Sequence, residues 1–319
     1  MKMYILKLKP VLKDYIWGGK RLITEFNMEA QGDSAAEAWV LSCHKDGPAT
    51  IVNGSLRGKT LDEVMTPEMM GKNCERFGKF PILTKIIDSG DNLSLQVHPS
   101  DETADKSKGE EAKTESWYIA DCEEGAELIY GFKEDITKEE FIESVNNGTF
   151  IEKVNKVKVK KGECYHITAG TLHAICKGIL LVEVQQNSNT TFRVYDYDRV
   201  DKNGNKRELH VERALAVLNY KKQQMITSPK KEEKGETFVR RPLSQCEFYD
   251  FCELKNDGET ELFADEKSFV SYVLVEGEGT VDDGNEVIEL KKGDSIFVPA
   301  GLGKYTLKGK MKLLETRVD

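Results

Sequence analysis

A thirteen-residue pattern occurs twice in the chain and constrains the fold more than any other feature of the sequence. Residues 161–173 read KGECYHITAGTLH and align without gaps on residues 292–304, which read KGDSIFVPAGLGK. Each copy has a glycine and an acidic residue, a short run of β-forming residues, and an Ala-Gly turn. Strand-length apolar runs separated by Gly, Asp and Asn fill most of the remaining sequence. We therefore predict a mainly β chain that contains one supersecondary unit twice.

The repeated pattern resembles the second conserved motif of cupins, which are double-sheet β-barrels of the jelly-roll type. The resemblance implies two cupin-type jelly-roll barrels with a few helices. The two copies end differently, on His173 and on Lys304, so we expect a metal ligand in the first barrel alone. We predict a catalytic metal-binding barrel over residues 1–220, a charged connector over 221–240, and a second barrel without metal ligands over 241–319.

Helical insertions are expected in the first barrel at about residues 60–72, 100–150 and 208–220. The spacing Thr-x-x-Glu of a capping box begins at Thr60 and at Thr137, in each case ahead of apolar residues. The third segment has a composition that favours helix. These segments are too few to change the mainly β prediction.

The composition excludes several classes of partner. A net charge of −9 and a pI near 5.4 argue against nucleic acid or an anionic membrane. The first ten residues are broken by lysines too often for a signal peptide, and no apolar run approaches the roughly 20 residues of a membrane span. The seven cysteines are odd in number and form no Cys-x-x-Cys pair, which favours reduced thiols. We expect a cytoplasmic protein, and no pattern indicates its oligomeric state.

Strict alternation in residues 93–98, which read LSLQVH, predicts a strand with two different faces. The leucines and the valine form an apolar face, and Ser94, Gln96 and His98 form a polar one. A strand that buries one face and carries an amide and an imidazole on the other is typical of the wall of a polar cavity.

Two further segments can complete a metal site on this wall. In the strand-like run KTESWYI, Lys113, Glu115 and Trp117 share one face, and His173 follows the Ala-Gly turn. A lone histidine after a tight turn is more often structural. Together, however, two imidazoles, a carboxylate and an amide oxygen favour a divalent ion held by Gln96, His98, Glu115 and His173.

Three charged residues lie inside runs that otherwise predict buried strands. Lys85 interrupts FPILTKII, and burial of an unpaired ammonium is costly, so an anion must meet it or the side chain must reach solvent. Glu183 lies within ILLVEV, and Arg193 lies on one strand face with Thr191 and Tyr195. A structural salt bridge between Glu183 and Arg193 is the alternative to a catalytic role for both.

Several separated segments together resemble type I mannose-6-phosphate isomerase (phosphomannose isomerase) in its short bacterial form, over essentially the whole chain. They are DYIWGG at 14–19, LSLQVHP at 93–99, KTE at 113–115, AGTLHA at 169–174, Glu183 to Arg193, and RVYDYDR at 193–199. The resemblance implies interconversion of mannose 6-phosphate and fructose 6-phosphate with one zinc ion per chain, so a phosphorylated hexose is the expected partner.

The resemblance also implies roles for individual residues. The zinc-ligand positions are Gln96, His98, Glu115 and His173. Arg193 falls on the catalytic arginine, Ser94 and Lys85 fall on positions that hold the phosphate, and Lys113 and Glu183 line the pocket. The reaction passes through a cis-enediol, and the base stays open among Glu183, Lys113 and a zinc-bound water. The alternatives are a cupin metal-dependent oxygenase, because two histidines and a carboxylate also bind non-haem iron, and a non-catalytic sugar-binding cupin.

Overall fold

The computed structural model describes residues 3–201, 203–224 and 230–319. Its strands are β1 Leu6–Lys9, β2 Val11–Lys13, β3 Glu37–Leu41, β4 Thr50–Ile51, β5 Ile82–Ser89, β6 Leu95–Val97, β7 Glu115–Cys122, β8 Glu127–Phe132, β9 Val154–Lys158, β10 Cys164–Ile167, β11 His173–Ile175, β12 Ile179–Gln186, β13 Phe192–Tyr195, β14 Glu233–Lys234, β15 Phe238–Gln245, β16 Asp250–Ala264, β17 Val270–Asp282, β18 Val287–Lys291, β19 Ser295–Val298 and β20 Gly303–Arg317. Its α-helices are α1 Arg21–Thr24, α2 Leu61–Val64, α3 Pro67–Met70, α4 Lys138–Asn146 and α5 Val211–Val217, and 3₁₀ turns span Gly54–Leu56, Lys72–Phe77, Lys106–Lys108 and Phe150–Glu152.

The strands form three antiparallel sheets within these ranges, and the mainly β prediction is confirmed. The central sheet has the order β10-β7-β12-β5-β3-β2, and the outer sheet has the order β13-β6-β11-β8-β9. The C-terminal sheet has the order β14-β15-β16-β20-β17-β19-β1-β4, with β18 paired to β17.

The central sheet is covered on both faces, as alternation along β12 illustrates. Val182 and Val184 pack in one core cluster with Phe251 and Phe297 of the C-terminal sheet. Leu181, which points the other way, belongs to a second cluster that extends into the outer sheet. Residue 183 lies on this second face, so a glutamate is placed in the interior between the central and outer sheets.

The second half of the chain has an apolar core of its own. Leu254, Tyr272, Ile296 and Leu313 belong to a separate buried cluster inside the strands of the C-terminal sheet. Together with the two-sheet first barrel, this arrangement agrees with the expectation of two barrels. The residue limits of the domains stay a prediction. Part of the expected connector, residues 225–229, lies outside the described residues, and the C-terminal sheet also contains β1 and β4.

Each expected helical insertion contains a helix, but residues 100–150 also contain strands β7 and β8, so that segment is only partly an insertion. Thr60 caps α2 and Thr137 caps α4, each with the reciprocal bonds of a capping box. Helix α5 begins at Val211 and ends at Val217, within the segment that composition indicated. In the described part of the chain, each helix is too short or too polar to cross a membrane.

Candidate metal centre and active site

Three strands bring the predicted ligands together between the central and outer sheets. Gln96 and His173 are paired positions on β6 and β11, and Glu115 begins β7 on the facing sheet. The ligand atoms of His98, Glu115 and His173 all lie within 4.8 Å of one another, and the three side chains are buried. Two carboxylate–imidazole distances are 3.3 Å, from Oε1 to His173 Nε2, and 3.8 Å, from Oε2 to His98 Nε2. The spatial convergence expected from the sequence is therefore present.

Backbone carbonyls orient both imidazoles. The Nδ1 atom of His98 lies 2.8 Å from the carbonyl oxygen of Thr190, and that of His173 lies 2.8 Å from the carbonyl of Thr171. A carbonyl only accepts, so Nδ1 carries the proton in each ring and Nε2 keeps its lone pair. Both Nε2 atoms point at the same place, which is the arrangement that metal-binding histidines use.

The donor set fits a divalent cation. Within the described residues, His98 Nε2 and Glu115 Oε1 are buried without a hydrogen-bond partner, which is costly unless another group meets them. The amide Nε2 of Gln96 lies 3.3 Å from His173 Nε2, so its side chain borders the same point. Burial lowers the pKa of His98 well below its ordinary value and that of His173 to about 4, so both rings are neutral, as metal ligation requires.

Five side chains of alternating charge form a row that begins at the ligand Glu115 and continues along the floor of a polar cavity. Lys113 Nζ lies 2.6 Å from Glu115 Oε2 and 3.6 Å from Glu183 Oε1. Lys85 Nζ lies 3.2 Å from Glu183 Oε1 and 3.3 Å from Glu37 Oε2. The five side chains are buried, and opposite charges alternate along the whole row.

Two tryptophans fix the carboxylates of this row. The indole Nε1 of Trp117 donates to Glu183 Oε2 at 2.8 Å, and that of Trp39 donates to Glu37 Oε2 at 2.7 Å. Of the two outcomes left open for Lys85, the side chain meets anions and not solvent, and the protein itself supplies them. The alternative salt bridge from Glu183 to Arg193 is wrong, because Glu183 pairs with Lys85 and Lys113 instead.

The pKa shifts within the row follow from burial and charge order. Burial would raise the pKa of Glu183, but the ammonium groups of Lys113 and Lys85 outweigh burial and lower it. Burial opposes the charge of Lys85, yet Glu37 and Glu183 together raise its pKa. Burial, reinforced by the negative charge of Glu183, raises the pKa of Glu115. A cation beside Glu115 would reverse that last effect.

A polar cavity of about 230 Å³ opens beside the ligands and collects the remaining predicted site residues. Its walls include Lys85, Ser94, Gln96, Lys113, Glu183 and Arg193. Ser94 is buried, and its hydroxyl lies 3.5 Å from Gln96 Oε1. Arg193 Nη1 donates to the carbonyl of Glu208 at 2.8 Å, while its Nε is buried without a partner among the described groups.

Sequence reasoning missed four polar residues of the cavity wall: Tyr15, Glu37, Asn189 and Arg207. Tyr15 lies in the quoted DYIWGG segment, which was assigned no chemistry. Glu37 is a single acidic residue in an apolar run, the same signal that singled out Lys85 and Glu183. Asn189 and Arg207 lie in polar loops where neither periodicity nor a motif distinguishes them.

The chain is similar to known proteins over almost its whole length. Residues 5–143 match the family described as phosphomannose isomerase type I, catalytic domain, and residues 241–318 match the mannose-6-phosphate isomerase cupin domain. The mannose-6-phosphate isomerase ManA of Bacillus subtilis (strain 168) is 38% identical over 95% of this chain and 96% of its own length. The chain belongs to the type I phosphomannose isomerase family.

Other members of the type I phosphomannose isomerase family agree in sequence and in fold. The mannose-6-phosphate isomerase of Streptococcus mutans is 36% identical over 97% of this chain and 96% of its own. The crystal structure of the mannose 6-phosphate isomerase from Bacillus subtilis superposes with a TM-score of 0.89 at 36% identity, covering 98% of this chain and 99% of the other. The resemblance drawn from the sequence, the cupin fold and the class of isomerase are confirmed. The roles of individual residues stay predictions.

Proposed function

We propose that this protein interconverts mannose 6-phosphate and fructose 6-phosphate through a cis-enediol, with one zinc ion held by Gln96, His98, Glu115 and His173. The convergence of two imidazole Nε2 atoms and one carboxylate within 4.8 Å at the end of a polar cavity carries this proposal. Nitrogen and oxygen donors of this number and type suit zinc. A bound zinc ion would supply Lewis-acid polarisation of the sugar oxygens.

Arg193 stabilises the negative charge that develops on O1 and O2 of the sugar. A guanidinium remains protonated throughout the working pH range and presents several donors in a fixed plane. Its buried Nε has no partner among the described groups, so a donor is available where the cavity wall meets the ligands. A preorganised donor of this kind lowers the barrier because it needs no reorganisation during the reaction.

Two groups of the cavity floor are suited to move the proton between C2 and C1. Glu183 is ionised, since Lys113 and Lys85 lower its pKa, and an ionised carboxylate accepts a proton. Lys113 lies between Glu115 and Glu183, so its ammonium can donate a proton beside either carboxylate. Loss of solvent-hydrogen exchange at C2 in Glu183→Gln, with exchange retained in Lys113→Met, would assign the base to Glu183.

Ser94 and Lys85 contribute to the binding of the phosphorylated hexose. Both line the cavity, and remote binding energy from the phosphate would orient the sugar over the ligands. The ammonium of Lys85 is shared by two carboxylates, so its contribution to an anion is weaker than that of a free lysine. The guanidinium of Arg193 adds positive charge to the same cavity, whereas that of Arg207 is already paired with the carboxylate of Asp196.

A reducing compartment such as the cytoplasm is consistent with this activity. All seven cysteines lie within the described residues, and each is a free thiol. Disulfides are rare where glutathione and thioredoxin keep thiols reduced.

A coupled assay for fructose 6-phosphate formed from mannose 6-phosphate, with and without a chelator, tests the proposal. Formation that the chelator abolishes and added zinc restores supports it. Oxygen consumption with dependence on iron would replace it with the oxygenase alternative. Binding of the sugar phosphate without turnover, by the zinc-loaded protein, would replace it with the non-catalytic alternative.

A further inference from the structure

Arg193 lies at an irregular position of an edge strand. Strand β13 ends the outer sheet and pairs with β6 alone, and the register shifts between Arg193 and Tyr195. On an edge strand, every second residue directs its backbone N–H and C=O away from the sheet. Irregularities of this kind re-aim a side chain next to an active site, and their outward groups need partners.

His210 satisfies both outward backbone groups of Arg193. The backbone N–H of Arg193 donates to His210 Nδ1 at 3.3 Å, and the N–H of His210 donates to the carbonyl of Arg193 at 2.7 Å. One histidine thereby takes the place of a neighbouring strand, with its ring nitrogen standing in for a carbonyl oxygen. The adjacent carbonyl of Glu208 accepts from the guanidinium Nη1 at 2.8 Å. Glu208 and His210 therefore hold Arg193 by its side chain and by its backbone.

This clamp, formed by Glu208 and His210, is anchored in the core. It runs directly into α5, whose Ala214 and Val217 are buried in the same apolar cluster as Phe192, the residue before Arg193. The imidazole of His210 itself keeps 29% of its side-chain surface exposed. His210 therefore holds Arg193 mainly through its acceptor nitrogen and less through the burial of its ring.

We propose that His210 is a positioning residue that fixes the guanidinium of Arg193 toward the reacting oxygens of the sugar. The proposal rests on the proposed function, in which Arg193 stabilises the developing charge. The acceptor role requires Nδ1 to be unprotonated, so the ring proton is on Nε2, which lies 3.8 Å from the carboxylate of Glu208. Replacement of His210 by leucine preserves the approximate size of the side chain but removes the acceptor nitrogen. Asparagine keeps an acceptor oxygen at the reach of Nδ1.

The test compares His210→Leu with His210→Asn in the zinc-loaded, full-length protein, with Leu209→Ala as the control at a neighbouring exposed side chain. We expect His210→Leu to lower kcat about tenfold, the value of one hydrogen bond to the positioned group, with KM changed less than about twofold. His210→Asn restores most of the loss, and Leu209→Ala matches the original protein. Zinc content is unchanged in all three.

A double-mutant cycle with Arg193→Ala separates positioning from a general structural effect. If His210 acts through Arg193, His210→Leu causes no further loss of kcat in the Arg193→Ala background. An equal tenfold loss in both backgrounds, or an unchanged kcat in His210→Leu alone, would overturn the proposal. Failure of Arg193→Ala itself to lower kcat would overturn the proposed function instead, so the two failures are distinct.

Discussion

Lys85 and Glu183 are directly paired positions on β5 and β12, and their charged atoms lie 3.2 Å apart in the buried floor of the cavity. Lys85 also holds Glu37 of β3, so one ammonium neutralises carboxylates from the two strands that flank its own. Removal of one member of such a set leaves an uncompensated charge away from water.

Replacement of Lys85 by methionine should destabilise the fold strongly. The change leaves Glu37 and Glu183 facing each other without the ammonium between them, so we expect the free energy of unfolding to fall by about 3–5 kcal/mol. Urea denaturation followed by circular dichroism measures the loss. Lys79→Met removes a half-exposed ion pair with Glu111 and should change stability by less than about 1 kcal/mol. Equal stability of the two variants would contradict the buried pairing.

Replacement of Arg193 by alanine should lower turnover and leave the metal in place. The guanidinium is a preorganised donor for the developing charge, so its loss should cost about a hundredfold or more, which is about 3 kcal/mol. The coupled assay gives kcat, and metal analysis of the same preparation gives the zinc content. Near-normal turnover in the zinc-loaded variant would remove Arg193 from the mechanism.

Replacement of His98 or His173 by alanine should remove both zinc and activity. Each change deletes one of the two imidazole nitrogens that converge on Glu115, so fewer donors remain than a zinc site uses. Metal analysis after dialysis against a weak chelator measures retention. His44→Gln is the matched control, because that buried histidine borders Asp46 and Glu111 outside the cluster. Full zinc occupancy in His98→Ala would exclude its assignment as a ligand.

Stability should fall on the acid side through His166, a buried histidine between the two barrels. Its Nδ1 lies 3.0 Å from the hydroxyl of Ser116 and 2.9 Å from that of Ser244. Burial lowers its pKa from 6.5 to about 4. The folded state therefore resists the proton that the unfolded chain takes up. His166 thereby contributes about 3 kcal/mol to the free energy of unfolding. This contribution is complete above pH 6.5 and is lost as the pH falls toward 4.

Urea denaturation of the original protein and of His166→Asn at several values of pH between 7 and 4.5 measures this contribution. We expect the free energy of unfolding to fall less steeply with acidification in the variant, because asparagine does not titrate. Parallel curves for the two proteins would show that His166 is protonated equally in the folded and unfolded states.

The candidate metal site was predictable because the sequence signals that place its ligands are local. Alternation placed Gln96 and His98 on one strand face, and the Ala-Gly turn of the repeat placed His173 at the start of a strand. The Thr-x-x-Glu spacing at Thr60 and Thr137 likewise located two helix starts through bonds within four residues. Such signals can be recognised in a single sequence because each depends on residues that are neighbours along the chain.

The partners of the buried charges were not predictable from the same signals. Sequence showed that Lys85 needed either an anion or contact with solvent, but the choice of Glu37 depends on β3 lying beside β5, a pairing set by the packing of the whole barrel. The alternative of a salt bridge between Glu183 and Arg193 was wrong for the same reason. The two residues lie on different sheets, and the nearest cations to Glu183 come from β5 and from the segment before β7.

The position of strand β1 in the C-terminal sheet affects the order in which the protein folds. It lies between β4 and β19, and Leu6 is opposite Phe297 in the register of the C-terminal sheet. During synthesis, one edge of β1 therefore has no partner until β19, Ser295–Val298, has left the ribosome. Closure of this contact is a late, long-range event, and such events slow folding. A chain cut between the barrels would also lose a strand neighbour, so neither half is expected to refold fully without the other.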